Sequence, residues 1–166
     1  MKRLLYPDYI AKSIFDIDAF FLKSLKIEAL IIDIDNTLTE YEKKYPDERV
    51  IRWIEHLKNS GFSICLVSNN TQKKAENFVR ILNLPVIYNA AKPSKRPFKK
   101  AIKLLNAEGK KTAIIGDQIF TDILGGNRMG FYTILVEPLS DKDFIFTRLI
   151  RKIERVLLKH YRRDCL

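Results

Sequence analysis

The stretch IIDIDNTLTE, Ile31 to Glu40, begins as an apolar run suited to a buried strand and then sets Asp33 and Asp35 two residues apart, with Asn36 and Thr37 behind them. Carboxylates do not sit inside a strand buried on both faces, so the pair marks the end of one. Side chains alternate along a strand, and a spacing of two lets both carboxylates enter the same crevice.

Outward from this stretch, apolar runs recur at Ala29–Ile34, Phe62–Val67, Val86–Tyr88, Thr112–Ile115 and Phe131–Val136, and read as strands. Between them lie helical spacings: Val50, Trp53, Ile54 and Leu57; Ala75, Phe78, Val79 and Leu82; Phe98, Ala101, Ile102 and Leu105. Near-continuous apolar strands alternating with amphipathic helices predict an α/β fold, a parallel sheet covered on both faces. Such a sheet binds ligands beyond the carboxyl ends of its strands. Asp33 and Asp35 end the first of these runs, and Ser68, Asn69 and Asn70 end the second. Lys92 follows the third, and Gly116 and Asp117 end the fourth. The connection from Thr39 to Pro46 is short, so no lid domain is inserted there and the mouth of the crevice is expected to be open.

Two carboxylates a few ångströms apart repel by several kcal/mol at an effective dielectric of about 20, so the crevice calls for a cation. Mg²⁺, a hard ion satisfied by carboxylates, carbonyls, water and phosphate oxygens, suits it, with Asp117 as a further ligand. Asp33 is then placed to attack a phosphoryl group as a nucleophile, and Asp35 to protonate the leaving oxygen and afterwards activate water. Ser68 and the amides around Asn69 are suited to phosphoryl oxygens, and Lys92 to the negative charge that develops on them. Each motif alone has a bland reading. A lone DxD is common on solvated surfaces, and Asn70 or Thr71 would serve as a helix cap. Their joint order, at successive strand ends, is what points to phosphoryl chemistry.

In that order DIDNTL (Asp33–Leu38), VSNN (Val67–Asn70), KP (Lys92–Pro93) and GDQIFTD (Gly116–Asp122) resemble the four motifs of the haloacid dehalogenase (HAD) superfamily of phosphatases. The resemblance implies a Rossmann-like, doubly wound parallel sheet without a large cap domain. It also implies Asp33 as the residue that becomes an aspartyl-phosphate, Asp35 as acid/base, Ser68 as phosphate-binding hydroxyl and Lys92 as the motif lysine, with Lys95 in reserve. Asp33, Asp35 and Asp117 would hold Mg²⁺, Asp35 through its backbone carbonyl, while Thr37 and Asp122 support the site. The opening YPDYIAKSIFDID, the short first connection, GDQIFTDILGGNRMGFYTILVEPL and a basic C-terminal stretch extend the likeness over nearly the whole chain, to the YqeG-type subfamily IIIA phosphatases. Relatives there include phosphatidylglycerophosphate phosphatases, which makes that lipid the expected substrate and a soluble sugar or nucleotide phosphate the alternative.

The composition agrees with an anionic partner. The formal charge is +10, and the 166 residues, 46% apolar, suffice for one domain (1–166) with a core of its own. An apolar N-terminal segment (1–26) is read as docking on the C-terminal helix or dipping into lipid. A basic amphipathic helix is expected over about 144–162. Phe146, Leu149, Ile150, Ile153 and Leu157 share one of its faces, and Arg148, Lys152, Arg155, Lys159 and Arg162 the other. Such a helix suits either the domain's own core or peripheral contact with an anionic phospholipid surface. No apolar run approaches the roughly 20 residues of a spanning helix, and Pro7 and Asp8 interrupt the N-terminus too early for a signal peptide. Cys65 and Cys165 lack metal-ligand spacing and read as free thiols, in keeping with a cytoplasmic protein.

Two other classes compete. A receiver-type phosphoacceptor domain also combines aspartates, a hydroxyl, a lysine and Mg²⁺, but its phosphorylated Asp is expected after a middle strand, and here DIDNTL ends the first core run. A non-catalytic nucleic-acid-binding protein fits the charge, yet the sequence has no zinc-ligand spacing, RNP-like motif or helix-turn-helix pattern, which argues against a nucleic-acid partner.

Overall fold

All four residues of Ala29–Ile32 are buried, and a run with no polar face is stable only between two covering layers. The computed structural model, which describes residues 4–40, 42–140 and 153–154, supplies those layers. In chain order its main elements are β1 (Tyr9–Ala11), α1 (Ala19–Ser24), β2 (Ala29–Ile32), α2 (Glu48–Asn59), β3 (Ser63–Val67), α3 (Gln72–Leu82) and β4 (Val86–Ile87). These are followed by α4 (Lys95–Leu105), β5 (Thr112–Gly116), a π-helical turn (Ile119–Ile123), α5 (Leu124–Met129) and β6 (Tyr132–Val136). The strands form one sheet in the order β1-β6-β5-β2-β3-β4, and every neighbouring pair is parallel. This is the parallel sheet covered on both faces that the alternating runs predicted, in the doubly wound, Rossmann-like arrangement that the family resemblance implied.

Alternation along the strands sorts the core into two faces. Leu30, Ile32, Ile64 and Leu66 pack with Leu22 of α1, with Val50, Ile54 and Leu57 of α2, and with Phe78 and Leu82 of α3. Ile31, Cys65, Val67 and Ile114 point the other way, to Phe98 and Ala101 of α4 and to Phe131. Each fully buried side chain of this size contributes roughly 1.5–3 kcal/mol relative to exposure, so α2 is held mainly by its apolar face. Asp47 fixes where that helix begins, its carboxylate accepting a hydrogen bond from the Val50 N–H at 3.0 Å. Val79, expected on the core face of α3, is instead 43% exposed, whereas Phe78 beside it is fully buried.

The N-terminal segment has a place in the sheet that its sequence did not reveal. Tyr9–Ala11 pairs with Ile134–Val136 of β6 as an edge strand. The Asp8 carboxylate reinforces the join, accepting from the Thr133 N–H at 2.8 Å and from its hydroxyl at 2.9 Å. Ile14, Ile17 and Leu22 enter the main core, and the Trp53 indole donates to the Ile17 carbonyl at 2.9 Å. A three-residue strand is too short for period-two alternation to stand out, so its role depended on the open edge of β6. Phe20 is left 83% exposed. Apart from residues 153–154, the helix expected over 144–162 lies outside the described residues. Among the described residues, no helix is long and apolar enough to cross a membrane.

Candidate active site

Asp33 follows β2 directly, its N–H still donating to the Ile115 carbonyl of β5 at 3.0 Å. The chain then turns sharply. Leu38 and Thr39 donate to the Ile34 carbonyl, Asn36 donates to the Thr39 carbonyl at 2.7 Å, and Asn36 takes a left-handed φ of 59°. Asparagine is among the few non-glycine residues that tolerate this region, and Asn36 is 1% exposed. The turn carries the Thr37 hydroxyl back to within 3.4 Å of both the Asp33 and the Asp117 carboxylates.

Asp117 arrives from the end of β5 and Asp122 from the π-helical turn beyond it; both are buried. A Cβ added to Gly116 would fall 2.5 Å from Asp122 Oδ2, so the absence of a side chain there makes room for this carboxylate. Asp33, Asp117 and Asp122 thus offer oxygens that all lie within 4.8 Å of one another. Asp122, read from the sequence as a supporting residue, stands inside the carboxylate cluster.

Lys92 supplies the positive charge. Its ammonium lies 2.5 Å from Asp33 Oδ1 and 2.7 Å from Asp122 Oδ1, and donates to the Val67 carbonyl at 3.1 Å. All three donors of the ammonium are thereby used. Asn69 fixes the lysine's backbone from both sides, accepting from the Lys92 N–H at 2.8 Å and donating to its carbonyl at 3.4 Å. Its carboxamide holds Lys92 in place. Lys95, the reserve choice, is exposed at the start of α4.

Asp35 is half-buried and outside the three-carboxylate cluster. Its Oδ2 accepts from the Ser68 hydroxyl at 2.8 Å, and that hydroxyl in turn accepts from the Asn70 N–H at 2.9 Å. The structure therefore divides the two aspartates of the opening motif. Asp33 faces the lysine and the other carboxylates, and Asp35 faces the serine.

Burial pushes the Asp33 carboxyl well above the ordinary carboxylate range; the Lys92 ammonium opposes this, while Asp122, Asp117 and Asp35 add to it. Burial also works against the charge on Lys92, but Asp122 and then Asp33 outweigh it and raise the lysine above its ordinary value. Of the two, the lysine is the secure charge, because two carboxylates grip it. The site fits a divalent cation: its three carboxylates are hard oxygen donors, and the Lys92 ammonium pairs with two of them, Asp33 and Asp122.

The geometry agrees with the kinship of the chain. The haloacid dehalogenase-like hydrolase family matches residues 41–130. The chain is 37% identical to the probable phosphatase YqeG of Bacillus subtilis, over 98% of its own length and 95% of that protein. It is 29% identical to phosphatidylglycerophosphate phosphatase 1 of Arabidopsis thaliana, over 99% of its own length but only half of that longer protein. Among solved structures, the cobalt-bound deoxy-D-mannose-octulosonate 8-phosphate phosphatase of Haemophilus influenzae shares the fold, with a TM-score of 0.58 over 69% of this chain and 70% of that one at 16% identity. With its motifs gathered at the strand ends of one parallel sheet, the chain belongs to the haloacid dehalogenase-like hydrolases and is a phosphatase of that family.

Proposed function

We propose that this phosphatase is Mg²⁺-dependent, works through an aspartyl-phosphate on Asp33, and takes phosphatidylglycerophosphate as its substrate. The observation that carries the mechanism is the division between the two aspartates. Asp33 is fixed by Lys92 on one oxygen and Thr37 on the other, beside Asp117 and Asp122, whereas Asp35 lies apart with Ser68. An Asp33 oxygen attacks phosphorus, the ester P–O bond breaks, and the leaving oxygen takes a proton from Asp35. Asp35 then removes a proton from water, whose oxygen displaces Asp33 from phosphorus and releases inorganic phosphate. Asp33, Asp117 and Asp122, with the backbone carbonyl of Asp35, would hold the Mg²⁺ ion, which when bound would neutralise charge on the phosphoryl oxygens and favour the ionised form of Asp33. Ser68 and the amides after it hold the phosphoryl group, and Lys92 balances charge as it develops.

Support for the lipid comes from the Arabidopsis relative named for it, from the +10 formal charge and from the exposed Phe20. The test is Mg²⁺-dependent phosphate release from phosphatidylglycerophosphate in mixed micelles, beside soluble phosphate monoesters and the Asp33→Asn variant. The expected result is preference for the lipid, no release with excess chelator, and loss of at least about a thousandfold in Asp33→Asn, which lacks the nucleophile. Equal or better turnover of soluble esters would discard the lipid, and an active Asp33→Asn enzyme would discard the nucleophile.

A further inference from the structure

The Glu154 side chain is a buried acid that the mechanism above does not use. It is 5% exposed, and its Oε1 accepts from the Ile119 N–H at 2.7 Å and the Phe120 N–H at 3.2 Å. These two amides open the π-helical turn Ile119–Ile123, where N–H groups lack partners within the helix. Gln118, the residue positioned to cap them, makes no side-chain cap there. Its amide oxygen instead accepts from the Thr121 hydroxyl at 3.3 Å. An acid more than thirty residues away along the chain therefore does the capping.

The location gives this contact its consequence. Ile119 and Phe120 lie between Asp117 and Asp122, two carboxylates that converge on Asp33 despite mutual repulsion. Asp122 is folded back within the turn, its N–H donating to the Gln118 carbonyl at 3.0 Å and its Oδ2 accepting from the Gln118 N–H at 3.3 Å. The spacing of the two carboxylates thus depends on the backbone that Glu154 grips. Hydrogen bonds from N–H groups to a carboxylate are strong ones, and withdrawing the acceptor from the buried Ile119 amide and the part-buried Phe120 amide lets the turn rearrange. We propose that Glu154 is a positioning residue of the active site, holding the turn that sets Asp117 against Asp122 and thereby the affinity of the carboxylate cluster for its divalent cation. This rests on the metal-dependent reading given above.

The test compares Glu154→Ala with Glu154→Gln, whose amide oxygen still accepts from both N–H groups, in the full chain. Mg²⁺ binding is measured by calorimetry, amide hydrogen exchange is followed at Ile119 and Phe120, and kcat and KM are taken on 4-nitrophenyl phosphate at saturating Mg²⁺. Glu154→Ala is expected to weaken Mg²⁺ binding about 10- to 100-fold, the range seen when partners that orient metal ligands are removed. It should also speed exchange at the two amides and lower kcat more than it changes KM, with Glu154→Gln staying close to the parent in every respect. Should Glu154→Ala not fold, Glu154→Asp, one methylene too short to reach both amides, is expected to shift the same readouts in the same direction. Unchanged Mg²⁺ affinity with faster exchange or lower thermal stability would reduce Glu154 to a structural cap and overturn the proposal, as would no change at all. Asp117→Asn separates the two ideas: if it binds Mg²⁺ like the parent, the metal-dependent reading is what fails.

Discussion

Lys92 is the side chain on which the site's electrostatics turn. Its ammonium is fully enclosed between Asp33 and Asp122, and nothing else among the described residues bonds to both of those carboxylates. Removing one partner of a buried ion pair leaves uncompensated charge, at a cost of about 3–5 kcal/mol. Lys92→Ala is therefore expected to lose about that much stability in urea unfolding, and to regain part of it on addition of Mg²⁺, which would replace the missing positive charge. A loss below about 1 kcal/mol would mean that the aspartates relax to solvent and that the pairing matters little. Lys92 and not Lys95 reaches the site because Asn69 seizes the Lys92 backbone, whereas Lys95 is exposed at the start of α4.

Among the elements, β1 shows how much a short segment gains from its context. Three residues make a poor strand alone, but Asp8 occupies the N–H and hydroxyl of Thr133, a residue with no exposed surface, and so secures the edge. Asp8→Ala deprives a buried N–H of its acceptor, a penalty of about 1–3 kcal/mol. We expect a stability loss in that range, together with faster hydrogen exchange across Tyr9–Ala11. Exchange unchanged from the parent would show that Ile14, Ile17 and Leu22, buried just beyond the strand, anchor the segment without this contact.

The two covered faces of the sheet also set the chemistry of its thiol. Cys65 lies on β3 toward α4, and burial pushes its thiol up to about 12, with Lys100 pulling weakly the other way. The folded state therefore retains a proton that the unfolded chain releases from about pH 9 upward, so this residue's contribution makes stability fall as pH rises above 9 and go on falling toward 12. In a Cys165→Ser background, Cys65→Ala should flatten this alkaline decline relative to the parent in urea unfolding across pH 8 to about 11. In the same background the native protein should resist thiol reagents at pH 8 and react only as it unfolds. Ready labelling of the folded protein would contradict the burial that holds this face together.

How far the sequence alone reaches can be judged from particular residues. The period-two aspartates, the fully apolar strands and the 3.6-residue spacing of Val50, Trp53, Ile54 and Leu57 determined an α/β fold with polar groups at its strand ends. These are local properties of the chain, fixed by backbone alternation and by which side chains avoid water. Tertiary structure decided that Asp122 joins Asp33 and Asp117 while Asp35 turns to Ser68, and that Asn69 holds the backbone of Lys92. It also decided that Tyr9–Ala11 completes the sheet and that Glu154 reaches the turn beside the site. Each of these contacts joins residues far apart along the chain, and they meet only because packing on both faces orders the strands with β2 between β5 and β3. Periodicity shows which residues are buried, but it does not say which strands will be neighbours.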